Sequence, residues 1–370
     1  MLKGKRIKTV IIANIPSPYR VFYFNKLADS VTGKFMIYYC AHSEPNRRWN
    51  PPQIEHNHLF LKKSKFKLWN RSIYWNADIW TQLKMHNPDI IVTGGFNPTM
   101  LAAILFAKVF KKKLFVNTDS WSLTEKEFSI FHIMIRKVVY RYITAALPVG
   151  EKGRQNFLSY GVPDQKIFKV PYNIENNFYA QSSGVEKKYD IMFSGQFIQR
   201  KMPYFFLEVV EKLNKKKKNI KILLLGSGPL QDDILKILKK INVSFNYPGF
   251  VQQNELPAYY GASKLFLFPT EVDGWGVVAN EACASGLPVI TCENAGAADD
   301  LVVHKYNGFV LPLKVDAWVS HVCMLLDDQS LYEKFSKNSI KQAQKFSTDF
   351  SINNMLAAIK NAYSNESMSK

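Results

Sequence analysis

The fold is decided by the stretch Phe268-Pro-Thr-Glu-Val-Asp-Gly-Trp-Gly-Val-Val-Ala-Asn-Glu-Ala-Cys-Ala-Ser-Gly-Leu-Pro-Val-Ile-Thr291. The apolar residues 265–268 end at a proline and predict a buried strand. Residues 277–285 suit a helix that a glycine and a proline then terminate, and residues 289–291 predict the next strand. This order of strand, glycine-containing loop, helix and strand places the loop at the carboxyl ends of a parallel sheet, where α/β proteins bind ligands.

The start of the predicted helix, at Gly276, suits an anion. Unpaired backbone N–H groups and the positive end of the helix dipole favour phosphate there. Glu281 lies one turn inside the helix, where its carboxylate can accept hydrogen bonds from sugar hydroxyls. A pyrophosphate at the helix start with a ribose beside Glu281 is one interpretation, and an ordinary strand–helix turn with a solvated glutamate is the other.

Asp273 and Glu281 are separated by seven residues. This spacing resembles the E-x7-E element of the retaining glycosyltransferases of family 4 (group 1), which have the GT-B fold. Gly276, Gly286 and the pair Pro288-Val289 also match the pattern of that family. The first acidic residue is Asp273 where the family usually has Glu; the charge and the acceptor oxygens are kept, with one methylene less of reach.

The resemblance implies a donor site in the second half of the chain. Lys201 matches a basic residue that the family places against the donor diphosphate, whereas the usual Arg after the glycine is replaced here by Gln196. We therefore expect Arg200 to supply the missing charge. Catalytic roles are expected for Lys201, Arg200, Asp273 and Glu281. Donor-binding roles are expected for Gly195, Gln196, Phe250, Leu256, Gly274, Trp275, Gly276, Val277, Val278 and Glu281.

The resemblance also implies an acceptor side in the first half of the chain. The loop Pro16-Ser-Pro-Tyr-Arg20 lies between a predicted strand and a predicted helix, and Arg20 could contact a phosphate or pair with a surface carboxylate. Many relatives carry a His near residues 117–120, and Asp119 is the nearest polar candidate here to reach an acceptor hydroxyl. The expected acceptor-side residues are Pro16, Tyr19, Arg20, Gly95 and Asp119.

Strands alternate with helices in two successive sets, which predicts an α/β protein of two doubly wound, Rossmann-like domains. In the GT-B fold these domains face an interdomain cleft. We expect an N-terminal acceptor-binding domain over residues 1–173 and a linker over 174–188. A donor-binding domain is expected over 189–345, followed by a C-terminal helix at 346–370 that crosses back to the first domain.

Composition sets the class of protein. The chain has 370 residues, of which 47% are hydrophobic and 21% charged, and its longest apolar runs fall short of the about 18 residues that a membrane span needs. The four cysteines show no C-x-x-C pair and no zinc spacing. The N-terminal apolar run is too short for a secretory signal. We therefore expect a cytoplasmic protein with no metal and no other cofactor.

The net charge of +19 is concentrated in the first half. Residues 1–176 hold 27 Lys and Arg against 11 Asp and Glu, whereas residues 177–370 hold 22 against 19. Such a bias indicates an anionic partner. Residues 60–75 mix cations with Phe66, Trp69, Tyr74 and Trp75, which suits an anionic membrane surface, a nucleic acid, or a solvated edge whose aromatic side chains turn inward.

The predicted function is a retaining hexosyl- or other glycosyltransferase. It moves a sugar from a nucleotide diphosphate, its first partner, to an acceptor hydroxyl. We expect a glycan or lipid-linked acceptor of an envelope polysaccharide such as lipopolysaccharide or capsule. The basic first domain is expected to associate peripherally with the inner face of the cell membrane and not with nucleic acid. Two alternatives are a nucleotide-sugar epimerase of the same fold and a basic nucleic-acid-binding protein.

Overall fold

The computed structural model describes residues 7–30, 33–45, 47–62, 64–68, 71–181 and 185–364. They form two compact units of similar size. The first comprises the chain up to Tyr172 together with the chain from Thr348 onward, and the second comprises Asn173–Ser347. None of the helices in these ranges is long and apolar enough to span a bilayer.

The first unit is a parallel six-stranded sheet with helices on both faces and a separate antiparallel hairpin. The sheet order is β3-β2-β1-β6-β7-β8, and β4 pairs with β5. Its elements are β1 (Lys8–Ala13), α1 (Pro18–Asp29), β2 (Lys34–Tyr39), β3 (His58–Phe60), β4 (Ser64–Leu68), β5 (Arg71–Trp75), α2 (Ile79–His86), β6 (Ile90–Thr93), α3 (Pro98–Val109), β7 (Lys113–Thr118), α4 (Ile130–Tyr140), β8 (Ala145–Pro148) and α5 (Glu151–Ser159).

The second unit repeats this architecture. Its parallel sheet has the order β11-β10-β9-β12-β13-β14. Its elements are α6 (Asn176–Ala180), β9 (Tyr189–Ser194), α7 (Pro203–Lys216), β10 (Lys221–Leu225), α8 (Gln231–Ile241), β11 (Ser244–Gly249), α9 (Leu256–Gly261), β12 (Ser263–Phe268), α10 (Val277–Ala284), β13 (Val289–Thr291), β14 (Gly308–Val310), α11 (Val315–Asp327) and α12 (Gln329–Lys345).

The last helix, α13 (Thr348–Ser364), returns to the first unit. Its apolar face, including Ile352 and Met355, packs with Phe24 of α1 against one face of the sheet. Ser351 donates to the carbonyl of Pro171 at 3.2 Å, which ties the start of the helix to the end of that unit. The other sheet face is covered by α2, α3 and α4.

The two sheets confirm the predicted α/β fold of two doubly wound, Rossmann-like units. The stretch 268–291 forms the predicted strand, loop, helix and strand, with the helix ending at Ala284, one residue before the predicted end. The predicted linker over 174–188 contains α6, which belongs to the second unit. Of the aromatic residues singled out in 60–75, Tyr74 is buried, Trp75 is exposed and Trp69 lies outside the described residues.

Candidate functional site

The predicted donor residues lie where the second sheet reverses its strand order. Strands β9 and β12 are neighbours at the centre of the sheet; the chain proceeds from β9 toward one edge and from β12 toward the other. The loop 195–202 follows β9, and the loop 269–276 follows β12. Because β9 and β12 are parallel, their carboxyl ends lie side by side, and the two loops meet at the point where open α/β sheets bind ligands.

Arg200 joins the two loops. Its guanidinium donates to the carbonyl of Val272 at 2.7 Å, and its own carbonyl accepts from the backbone N–H of Glu271 at 2.9 Å. On the other side, Asp273 is fixed by backbone hydrogen bonds with Asn294 and Gly296. The loop that carries Asp273 is thus hydrogen-bonded to Arg200 on one side and to the backbone of Asn294 and Gly296 on the other, and these contacts set the position of Asp273.

Lys201 and Asp273 form an ion pair between the two loops. Arg200 lies 3.8 Å from the same carboxylate, and the backbone N–H of Trp275 donates to it at 3.2 Å. Burial of Asp273, whose residue is 8% exposed, opposes ionisation, but Lys201 and Arg200 outweigh that cost and hold the pKa of this carboxyl below its usual value. The cluster therefore carries two cations and one anion.

Helix α10 begins beside this cluster at Gly276. This residue has φ +96°, and a Cβ placed on it would lie 2.5 Å from the ring of Phe268 at the end of β12. Glycine therefore lets the helix start close to the strand end. The first N–H groups of the helix, those of Val277 and Val278, have no intrahelical partner, so the helix start adds positive potential next to Lys201.

Glu281 is buried in the same helix and is held by two tyrosines. Tyr260 on α9 donates to one carboxylate oxygen at 2.8 Å, and Tyr179 on α6 donates to the other at 3.2 Å. Burial raises the pKa of Glu281 to about 7, although both hydroxyls act in the opposite direction. The carboxyl therefore changes its protonation near neutral pH.

The remaining donor-side residues surround this centre in different ways. The indole of Trp275 is buried, donates to Asn280 at 2.7 Å and packs on Phe346. Phe250 follows β11 and is exposed. Half-buried positions are held by Gly195 and Gln196 just after β9, Leu256 at the start of α9, Gly274 in the loop after β12, and Val277 and Val278 at the start of α10.

The residues predicted for the acceptor side lie at the carboxyl ends of the strands of the first sheet. Arg20 donates to Asn117 at 3.4 Å, and its guanidinium lies 5.7 Å from the ring centre of Tyr172. Tyr19 packs on the same ring at 5.3 Å. Burial, together with the carboxylate of Asp119, raises the pKa of Tyr172 well above its usual value. Because Tyr19, Arg20 and Asp119 all lie near Tyr172, they belong to one cluster. Pro16 follows β1 and Gly95 follows β6, the two strands at which this sheet reverses its order.

Sequence analysis missed four residues of these sites: Tyr179, Tyr260, Tyr172 and Asn117. Tyr260 lies one turn after Leu256, so extending the predicted nucleotide-binding element along its helix would have found it. Tyr179 lies in the stretch predicted as a linker, 102 residues from its partner Glu281, and no local pattern connects the two.

Within the described residues, no group of three or more His, Cys, Asp or Glu side chains is arranged to hold a metal ion. The positive charge beside Asp273 in the described part of the chain comes from the side chains of Arg200 and Lys201.

The second unit is similar in sequence to a known protein family. Residues 175–342 match the family described as glycosyl transferases group 1. This range contains both donor-side loops, helix α10 and both tyrosines that hold Glu281. The second unit is therefore similar in sequence to group 1 glycosyl transferases.

Three similar proteins illustrate the range of relatives. The uncharacterized glycosyltransferase MJ1607 of Methanocaldococcus jannaschii is 26% identical over 51% of this chain and 53% of its own length. The O-antigen chain mannosyltransferase B of Escherichia coli is 31% identical over 34% of this chain and 33% of its own length. The chain thus spans about half the length, or less, of these curated relatives. The crystal structure of Anabaena HepE in complex with UDP matches 97% of this chain and 100% of its own with a TM-score of 0.75 at 13% identity, which shows the GT-B fold.

Proposed function

We propose that this chain is a retaining glycosyltransferase that moves a sugar from a nucleotide diphosphate to an acceptor hydroxyl. The observation that carries the proposal is the meeting, at one sheet edge, of the cation pair Arg200 and Lys201, the start of α10, and the buried carboxylate of Glu281. A diphosphate needs positive charge and N–H donors, whereas a ribose needs an acceptor. The loop after β9 and helix α10 together offer positive charge and N–H donors for the diphosphate and an acceptor for the ribose.

The chemistry follows from the charge that develops during transfer. When the glycosidic bond breaks, negative charge grows on the diphosphate leaving group. Lys201, Arg200 and the first N–H groups of α10 stabilise that charge. The side chains of Arg200 and Lys201 are already fixed by their contacts with Val272 and Asp273 of the second loop, so little reorganisation of these cations is needed as the bond breaks.

The two acidic residues take different tasks because their surroundings differ. Asp273, next to two cations, stays ionised; it orients Lys201 and accepts hydrogen bonds from hydroxyls of the transferred sugar. The carboxylate of Glu281 accepts hydrogen bonds from the hydroxyls of Tyr179 and Tyr260, and its ionised form accepts the ribose hydroxyls. The stereochemical part of the proposal is that the anomeric configuration of the donor is kept in the product.

The acceptor is proposed to bind at the Tyr19, Arg20 and Asp119 cluster, with Asp119 receiving a hydrogen bond from the reacting hydroxyl. The acceptor class is proposed to be a glycan or lipid-linked intermediate of a cell-envelope polysaccharide, presented at the inner face of the membrane. The name of the Escherichia coli relative, an O-antigen chain mannosyltransferase, supports this class. The proposal includes transfer without a resident metal, since Lys201 and Arg200 supply cations to the diphosphate.

The test is turnover of nucleotide sugars. Purified protein is incubated with UDP-, GDP- and ADP-sugars, with and without membrane extract as a source of acceptor, and in the presence of a chelator. Nucleoside diphosphate release that rises with extract, persists with the chelator and falls at least about a hundredfold in Lys201→Ala is expected. Isomerisation of the sugar without nucleotide release would instead identify an epimerase. Proton NMR of the product anomer tests retention.

A further inference from the structure

Helix α4 exposes apolar side chains in its first half, although Val139 and Tyr140 at its end pack into the core. Its Arg136 is buried and pairs with the buried Glu125 at 3.2 Å, while Ile130, Phe131 and Met134 point outward and are 75%, 77% and 57% exposed. A surface helix of a globular protein normally turns its apolar residues to the core and its charges to water. The exposed side chains of Ile130, Phe131 and Met134 therefore form an additional apolar face that needs a partner.

The apolar face continues onto the neighbouring helix. Leu105 and Val109 of α3, with Phe110 at its end, are also exposed. Between the two helices lies a mainly apolar cavity of about 260 Å³. Its lining includes Leu105 of α3, Val138 of α4, and the side chains of Lys108 and Tyr142. We call the outward residues of α4 and of the second half of α3, with Phe110 and Tyr142, the α3–α4 surface.

Cations surround the α3–α4 surface. Lys108 and Lys111 are exposed at the end of α3, and the Lys108 ammonium lies 4.1 Å from the ring centre of Tyr142. Lys137 and Arg141 are exposed along the last turn of α4 and just beyond it. The exposed carboxylate of Glu127 precedes the helix, next to the exposed Lys126. The surface therefore combines apolar side chains with an excess of positive charge.

We propose that the α3–α4 surface docks on an anionic lipid bilayer. A helix of 11 residues is about 16 Å long, too short to span a bilayer, but it can lie in the headgroup layer with its apolar face inserted. The flanking Lys and Arg then meet lipid phosphates, and Tyr142 suits the level of the interface. Charge complementarity selects an anionic membrane because a second copy of this chain would bring a like-charged surface against the same cations.

This inference rests on the proposed function, which includes a lipid-linked acceptor. It deepens that function by naming the surface that contacts the membrane. It adds a second surface to the one predicted from sequence over residues 60–75. In that stretch Tyr74 packs into the core of the first unit and Trp75 is exposed, whereas the exposed apolar residues of α4 lie between 130 and 138. Membrane binding needs no transfer activity and can be measured alone.

The experiment is co-sedimentation of the full chain with vesicles. Wild type is expected to bind vesicles of phosphatidylglycerol and phosphatidylethanolamine, and to bind vesicles of phosphatidylcholine at least tenfold less tightly. The double variant Phe131→Ser with Met134→Ser is expected to lose at least about tenfold in partition, because two large apolar side chains no longer insert. Lys137→Gln with Arg141→Gln should lose roughly tenfold or more on anionic vesicles.

Matched controls keep the test specific. Met324→Ser removes an exposed apolar side chain, and Lys236→Gln an exposed cation, from the second unit; neither is expected to change partition. Nucleotide binding by calorimetry should be unchanged in every variant, so a failed donor site is distinguished from a failed membrane surface. Equal vesicle binding by wild type and the Phe131 and Met134 double variant would overturn the proposal. So would a wild-type dimer that this variant dissociates, because the face would then be an interface between copies.

Discussion

Lys201 and Asp273, 72 residues apart in the chain, form an ion pair between the loops that follow the neighbouring strands β9 and β12. Both side chains are mostly buried, at 17% and 11% exposed. The pair therefore links the two loops and places a cation beside the start of α10. Its energetic and functional roles can be separated by mutation.

Removing the lysine should destabilise the chain because it leaves Asp273 buried and unpaired with its nearest cation. We expect Lys201→Met to lower the free energy of unfolding by about 3 kcal/mol at neutral pH. Adding Asp273→Asn should recover most of the loss. The pKa of Asp273 is held below its usual value in the folded chain. The stabilisation by the Lys201–Asp273 pair is therefore fully present above the usual pKa of an aspartate, and it is lost as the pH falls through the lowered pKa of Asp273. Urea unfolding at pH 7 and pH 3 measures both effects, and equal stabilities of wild type and Lys201→Met at pH 7 would contradict the account.

Nucleotide affinity should depend on pH through Glu281. Its pKa of about 7 leaves the carboxyl partly protonated at neutral pH, and the ionised form is the better acceptor for ribose hydroxyls. We expect affinity for a nucleoside diphosphate to be constant above pH 8 and to fall up to about tenfold per pH unit below pH 7. Titration calorimetry between pH 5.5 and 8.5 measures this. Glu281→Gln should bind more weakly and lack this dependence; an unchanged slope in that variant would assign the titration to another group.

Tyr260→Phe should shift that pH dependence upward. The Tyr260 hydroxyl donates to Glu281 and favours its ionised form, so its removal raises the pKa of the carboxyl. A lost hydrogen bond to a charged group corresponds to about one pH unit or more. The midpoint of the affinity curve should therefore move from near 7 to about 8. Tyr259→Phe, on the neighbouring residue of the same helix, serves as the control and should leave the midpoint in place.

Gly276→Ala should damage the start of α10. A Cβ would meet the Phe268 ring at 2.5 Å, and φ +96° is unfavourable for alanine. We expect a loss of about 2 to 4 kcal/mol in the free energy of unfolding and weaker nucleotide binding. Gly161→Ala is a matched control, because Gly161 has φ +83° with no atom within 4 Å of the added Cβ. It should lose about 1 kcal/mol with unchanged binding, and equal losses for the two variants would contradict the close approach to Phe268.

Local patterns were enough to predict most of the fold. The apolar runs of β9 and β12 and the glycine that ends α10 specify their elements by periodicity and turn chemistry. The spacing of Asp273 and Glu281 led to the donor loop through a family resemblance. In each of these cases, the residues that allowed the prediction lie within a short stretch of sequence in or next to the predicted element.

Long-range packing was not predictable in the same way. Tyr179 reaches Glu281 because α6 packs beside α10, a contact that no periodicity encodes. The outward face of α4 has the same origin: Arg136 is turned inward by Glu125, which lies outside the helix. An apolar run such as Ile130–Tyr140 predicts a helix but does not by itself indicate which side meets the core.

The most direct test of the central claim is calorimetric titration of UDP, GDP and ADP into wild type, Lys201→Ala and Lys264→Ala. Lys264 pairs with Asp190 at 2.8 Å, joining β9 and β12 as well, but at their amino ends, so it controls for loss of an ion pair between the same strands. We expect one nucleotide to bind per chain of wild type and Lys264→Ala, with at least about tenfold weaker binding by Lys201→Ala. Absence of binding by wild type, or equal affinities in all three proteins, would contradict a nucleotide site at Lys201 and the start of α10.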